Sequence, residues 1–65
     1  MAFKAYEKLE IGDQVMTEKI FESLTGYFEK GSIVVIKEIG PRGYTIEDYK
    51  ENRISECGWT GLKKI

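Results

Sequence analysis

The chain is poor in the residues that carry most enzyme chemistry. Its 65 residues include a single cysteine, Cys57, and no histidine. These absences exclude an intrachain disulfide, a Cys/His zinc site and any pairing of a nucleophile with an imidazole base. Small secreted domains usually strengthen a thin core with disulfides, so a chain that cannot form one is typical of a reducing compartment. We therefore expect a cytoplasmic protein that has no enzymatic activity, cofactor or metal.

Long apolar runs and an excess of positive charge are also missing. The longest apolar run, residues 33–36, is far shorter than the roughly 20 residues that a membrane-spanning helix needs. No apolar stretch near Met1 is followed by small residues, so we predict no secretory signal and no membrane association. Ten Lys and Arg stand against eleven Asp and Glu, a net charge of −1. Because nucleic-acid binders usually carry a basic excess, this balance favours a protein partner.

What the chain does contain is a series of short β-branched or alternating segments separated by glycines. Ile-Val-Val-Ile at residues 33–36 is typical of a buried strand, and Tyr44 to Tyr49 alternates between two faces. Gly-Pro-Arg-Gly at residues 40–43 has the signature of a type I turn, which predicts a hairpin. We predict strands over residues 14–20, 32–39, 44–49, 53–57 and 62–65.

The remaining segments are less regular. Residues 21–32 are interpreted as a long loop anchored by Leu24 and Phe28. In the polar turn at residues 50–53, Asn52 is the residue expected to adopt the left-handed conformation. Residues 1–10 are expected to form either a helical turn or an extended arm.

This order of elements resembles that of a small SH3-like barrel. Three segments carry the resemblance: Gly-Asp-Gln-Val at 12–15, Phe-Glu-Lys-Gly-Ser at 28–32 and Gly-Trp-Thr-Gly-Leu at 58–62. The chain is similar in particular to the short SH3-like and KOW-like proteins that bacteria, bacteriophages and mobile elements encode. The resemblance implies an all-β fold with one five-stranded SH3-like barrel over residues 11–65, preceded by the arm or helical turn of residues 1–10. It also implies a non-catalytic binding module.

Aromatic residues supply the candidate contact surface. Three Phe, four Tyr and one Trp are more rings than a barrel of this size can bury, so some must lie at the surface. Exposed tyrosine, tryptophan and arginine side chains are the commonest anchors of protein interfaces. The candidate partner-binding residues are therefore Tyr27, Arg42, Tyr49 and Trp59, each of which could instead pack the barrel rim or be solvated.

Two further groups have a catalytic and a structural interpretation. Cys57 is the one strong nucleophile, but it has no histidine base, and we expect a small half-buried residue at a strand end. The carboxylates of Glu47, Asp48, Glu51 and Glu56 could act as acid and base or bind a divalent cation. A solvated strand face is the structural alternative for these carboxylates.

The sequence leaves several partners open. Another protein is the expected partner, and the alternative is a nucleic-acid-binding accessory protein of KOW-like type. The basic residues available for that alternative are Lys37, Arg42, Arg53, Lys63 and Lys64. The expected oligomeric state is a monomer or a homodimer paired through an edge strand.

Overall fold

Residues 9–65 are described by the computed structural model, and they form strands and no helix. The strands are β1 (Gln14–Thr17), β2 (Phe21–Ser23), β3 (Gly26–Phe28), β4 (Ile33–Gly40), β5 (Gly43–Glu47), β6 (Arg53–Ile54) and β7 (Leu62–Lys64). The prediction of an all-β fold is confirmed. The arm or helical turn expected at residues 1–10 lies, over residues 1–8, outside the described part of the chain.

Five of the strands form one antiparallel sheet in the order β6-β5-β4-β1-β7. Val15 of β1 lies opposite Val34 of β4, and Thr17 lies opposite Leu62 of β7. The last strand thus returns to pair with the first, and β6 and β7 are the edge strands. All five predicted strands are present. The first and fourth are shorter than predicted, because β1 ends at Thr17 and β6 contains only two residues.

The segment between β1 and β4 differs from its prediction. Residues 21–28 are not a long loop but a second, two-stranded sheet of β2 and β3, in which Phe21 lies opposite Phe28. Both rings are buried, whereas Leu24 is fully exposed at the turn. The Ser23 hydroxyl accepts a hydrogen bond from the Thr25 amide at 3.1 Å and helps to close that turn. The interpretation of Leu24 as an anchor was therefore wrong, while Phe28 is an anchor.

The core lies between the inner face of the large sheet and this hairpin. Side chains alternate along β4, where Val34 and Ile36 are buried and Ile33 and Lys37 are exposed. The buried apolar residues are Leu9, Val15, Phe21, Phe28, Val34, Ile36, Tyr44, Ile46, Ile54 and Leu62. Because β4 supplies alternate residues to the core, its other residues form the outer face of the sheet.

The hairpin spans the space between the two edge strands. Near β6, a Cβ placed on Gly26 would lie 2.9 Å from the Arg53 carbonyl oxygen, which accepts a hydrogen bond from the Thr25 hydroxyl. Near β7, a Cβ on Gly61 would lie 3.1 Å from the ring of Phe21. Glycine at these two positions lets the hairpin pack closely over the core.

Two tight turns set the positions of the exposed side chains. Pro41 and Arg42 connect β4 to β5 through the Gly40–Gly43 pair, as the predicted hairpin requires. In the turn after β5, Glu51 adopts the left-handed conformation with φ of 67°. The prediction that Asn52 would do so was wrong. The Asp48 carboxylate accepts hydrogen bonds from the backbone and side-chain amides of Asn52, and these bonds fix that residue.

Candidate functional site

The four predicted contact residues lie on three parts of the molecule. Arg42 and Trp59 lie at the same end of the large sheet, because Gly43 is in close backbone contact with Gly58. Tyr49 follows the opposite end of β5. Tyr27 lies on the hairpin opposite Glu22. The structure therefore brings two of the four together and leaves the other two apart.

The surface around Trp59 consists of Ile39, Arg42, Tyr44 and Trp59 and is called here the tryptophan surface. The indole of Trp59 packs edge-to-face on Tyr44, with ring centroids 5.1 Å apart and an interplanar angle of 76°. Tyr44 is buried, while Trp59 remains 44% exposed. Ile39 lies directly opposite Tyr44 in the β4–β5 ladder, so its side chain shares a face with Tyr44. Arg42 is exposed in the adjoining turn.

Backbone pairing holds the segment that carries Trp59. The Cys57 amide donates a hydrogen bond to the Tyr44 carbonyl at 2.8 Å, and the Tyr44 amide donates one to the Gly58 carbonyl at 3.1 Å. Glu56 adopts a left-handed φ of 51°, which turns the chain back onto β5. Its amide donates a hydrogen bond to the Thr45 hydroxyl at 3.4 Å, and Thr45, which follows Tyr44 in β5, is buried on the opposite face of that strand. The indole is therefore fixed before any partner arrives.

Cys57 is on the segment that pairs with Tyr44. The side chain is half-buried and packs against the core, as its interpretation as a small hydrophobe predicts. Burial raises the pKa of the Cys57 thiol, and this effect outweighs a hydrogen bond and the positive charge of Lys19. The side chain is thus held as a neutral thiol at neutral pH.

A groove on the outer face of the large sheet forms a second surface. Its volume is about 670 Å³, and it is lined by Gln14, Ser32, Ile33, Val35, Lys37 and residues 47–52. Tyr49 stands at its wall and is 88% exposed, with the Lys50 ammonium 5.6 Å from its ring centroid. Of the predicted contact residues, Tyr49 is the one that lines this groove.

The wall of the groove is a turn organised by Asp48. Its carboxylate accepts hydrogen bonds from the amides of Lys50 and Asn52, each at 2.9 Å, and from the Asn52 side chain at 3.1 Å. Desolvation is the largest single effect and raises the pKa of the Asp48 carboxyl, but these hydrogen bonds and the Lys50 charge together outweigh it and hold that pKa below its ordinary value. Asp48 therefore shapes the turn that positions Tyr49.

The other carboxylates of this region do not converge on one point. Glu47 lies 3.9 Å from Arg53, which lies 3.2 Å from Glu38. Glu56 is at the other end of the β4–β5 ladder, where its carboxylate lies against Gly40. In the part of the chain that the structure describes, no group of three or more His, Cys, Asp or Glu side chains is arranged to hold a metal ion.

The basic residues of the nucleic-acid alternative are dispersed. Lys37 lines the groove, Arg42 belongs to the tryptophan surface and Arg53 is in ion pairs with Glu38 and Glu47. Lys63 and Lys64 are on the edge strand β7, where Lys64 lies 3.7 Å from the Asp13 carboxylate. Their charges therefore do not combine into one basic stripe.

Sequence reasoning missed Ile33 and Ile39 as surface residues. A run rich in Ile and Val predicts a buried strand, yet Ile33 is 43% and Ile39 44% exposed. The alternation of side chains between the two faces of β4 could have indicated that Ile33 is exposed. A register shift between Ile36 and Glu38 interrupts the alternation before Ile39, and that bulge is not encoded in any simple pattern.

Comparisons of the chain with protein-family models, with curated proteins and with solved structures give no significant match. Across residues 9–65, no helix has the length and apolar character needed to cross a membrane.

Proposed function

We propose that this protein is a non-catalytic binding module that recognises another protein through the tryptophan surface. The observation that carries the proposal is the half-exposed indole of Trp59, supported from below by the buried ring of Tyr44. Tryptophan and arginine residues dominate the energetics of protein interfaces. Here Trp59 and Arg42 lie at the same end of the sheet as the exposed Ile39. Because backbone pairing fixes Trp59 in advance, little conformational entropy is lost when a partner binds.

The proposal includes an SH3-like barrel of the kind found in small KOW-like proteins of bacteria and phages. Three features support it: the strand order β6-β5-β4-β1-β7, the return of the last strand to the first, and the hairpin that spans the two edges. A cytoplasmic location belongs to the same proposal and is supported by the single unpaired thiol.

The test compares two isoleucines of nearly equal exposure on the same strand. Ligands are selected from a displayed library of peptides and protein fragments, and their affinities are measured for the wild type, Ile39→Asp and Ile33→Asp. Trp59 is the only tryptophan, so its fluorescence reports binding directly. We expect Ile39→Asp to weaken binding at least about tenfold, or about 1.4 kcal/mol. Ile33→Asp, which lies outside the tryptophan surface, is the matched control and should bind as the wild type does.

Two results would contradict this assignment. Equal affinities for the two variants would place the contact elsewhere on the molecule. Binding of a mixed DNA and RNA pool that falls steeply with added salt would instead favour the nucleic-acid alternative, because contacts to phosphates release counterions whereas apolar protein contacts do not.

A further inference from the structure

The outer face of the large sheet carries a row of side chains that crosses three strands and extends to the turn after β5. Ile33, Met16 and Lys63 lie directly opposite one another in the ladders of β4, β1 and β7. Met16 faces outward because its neighbours Val15 and Thr17 are fully buried. Tyr49 follows β5 and lines the groove together with Ile33, which extends the row on that side. The row therefore runs Tyr49, Ile33, Met16, Lys63.

The middle of this row is apolar and open to solvent. Ile33 is 43% exposed, Met16 is half-buried, and Val35 next to Ile33 is also half-buried. The hairpin of β2 and β3 covers the inner face of the sheet and leaves this outer face uncovered within residues 9–65. An apolar strip of this kind, bordered by charged residues, is typical of an interaction surface.

The two ends of the row differ in charge. At the β5 end stand the projecting ring of Tyr49 and the acidic turn that carries Asp48 and Glu51. At the β7 end lies the exposed cation of Lys63. The surface is thus complementary to itself when it is rotated by half a turn.

We propose that this outer face is the interface of a homodimer, with the two-fold axis passing between Ile33 and Met16. The axis brings Ile33 of one copy onto Met16 of the other, and the ring of Tyr49 onto the partner copy's Met16 and Lys63. Glu51 then faces Lys63 of the second copy. Each contact occurs twice, as an isologous interface requires.

A second copy fits this face better than an unrelated polyanion or an acidic protein. Glu47 is already paired with Arg53, and Asp48 accepts hydrogen bonds within its own turn, so Glu51 is the carboxylate of the groove wall that no ion pair within residues 9–65 uses. Lys50 lies on its own copy's Tyr49 ring, and Lys37 lies along β4 away from the axis. Glu51 is therefore the carboxylate left for a cation of the partner, and Lys63 of the second copy supplies that cation.

Sedimentation of the full chain from about 10 μM to 1 mM, the range of weak association, tests the proposal. We expect the weight-average mass of the wild type to rise toward twice that of the monomer, and Ile33→Asp to stay monomeric. Ile39→Asp introduces the same charge at the same exposure on the same strand, outside the row, and should dimerise as the wild type does. A wild type that is monomeric at 1 mM overturns the proposal, as does a dimer that Ile33→Asp leaves intact.

A charge exchange tests the two-fold arrangement itself. Lys63→Glu alone places like charges opposite each other twice, and so does Glu51→Lys alone. Each variant should dimerise at least about tenfold more weakly than the wild type. An equimolar mixture of the two variants pairs opposite charges at both positions and should restore dimerisation as a heterodimer. A mixture that dimerises no more tightly than either variant alone overturns the arrangement. That result is also the one expected if the dimer were instead paired through the β7 edge.

Discussion

At the scale of single residues, backbone conformation explains positions that hydrophobicity does not. Glu51 and Glu56 are the non-glycine residues with positive φ among those described, at 67° and 51°. A side chain in this region places its Cβ against the backbone carbonyl and costs roughly 1–2 kcal/mol. The strained residues lie in the two turns that present Tyr49 and Trp59, so the strain coincides with both proposed surfaces.

Substitution of Glu51 tests this strain. Both Glu51→Gly and Glu51→Ala remove the carboxylate, and only the glycine variant also removes the Cβ. We expect Glu51→Gly to be about 1 kcal/mol more stable than Glu51→Ala in urea unfolding at low micromolar concentration.

The matched control for that comparison is Glu22, which is exposed in β2 and has an ordinary strand conformation. At position 22 the alanine variant should be more stable than the glycine variant, since glycine in a strand loses more conformational entropy on folding than alanine does. If the glycine variant at position 51 were less stable than the alanine variant, the backbone at Glu51 would not be strained.

At the scale of elements, the turn after β5 depends on one carboxylate. Asp48 accepts hydrogen bonds from Lys50 and Asn52, and its pKa is held below the ordinary value. A lowered pKa in the folded state means that the ionised carboxylate is favoured by folding. Its contribution to stability is therefore fully present above the unfolded pKa of about 3.9 and is lost as the pH falls through the lower folded value.

We expect this loss to be visible as local opening of the turn in acid. Proton exchange at the amides of Lys50 and Asn52 should accelerate, relative to the intrinsic exchange rate, as the pH falls through the folded pKa of Asp48. Asp48→Asn keeps the side-chain size without the charge, and it should remove this pH dependence. An Asp48 carboxyl that titrates at or above its ordinary value in carbon NMR would contradict the expectation.

The elements also show which parts of the fold a sequence can reveal. Periodicity and glycine spacing located all five strands of the large sheet, because each strand alternates or is β-branched over its own few residues. The hairpin of β2 and β3 was missed, since its strands contain only three residues each and its cross-strand pair, Phe21 and Phe28, is visible only once the chain has turned.

At the scale of the whole molecule, the hairpin completes a small core. Phe28 is buried and pairs with Phe21, while its neighbour Tyr27 is exposed on the same strand. Truncation of a buried phenylalanine typically costs about 3–5 kcal/mol. A domain of fewer than about 70 residues rarely has more than about 3–5 kcal/mol in total.

Phe28→Ala should therefore be largely unfolded at room temperature, as measured by Trp59 fluorescence and urea unfolding. Tyr27→Ala is the matched control, and we expect it to change the free energy of unfolding by less than about 1 kcal/mol. A folded Phe28→Ala with a stability near that of the wild type would show that the hairpin is not part of the cooperative core.

The two proposed surfaces are compatible in one assembly. The tryptophan surface lies at the β4–β5 turn, and Tyr49 of the outer face lies at the far end of β5. A face-to-face dimer would leave both tryptophan surfaces available, so a partner with two epitopes could bind by multivalency, provided that its span matches their separation.

The amino-acid sequence by itself determined the class of the fold and the positions of the five strands of the large sheet, and its composition excluded disulfides and Cys/His zinc sites, because these depend on composition and on local periodicity. It also predicted that some aromatic residues lie at the surface, with Trp59 as a candidate. Only the tertiary structure decided which candidate residues lie at the same end of the sheet, since the backbones of Gly43 and Gly58, the neighbours of Arg42 and Trp59, are in contact although they are distant in sequence. The row from Tyr49 to Lys63 likewise exists only through strand register, which long-range pairing sets.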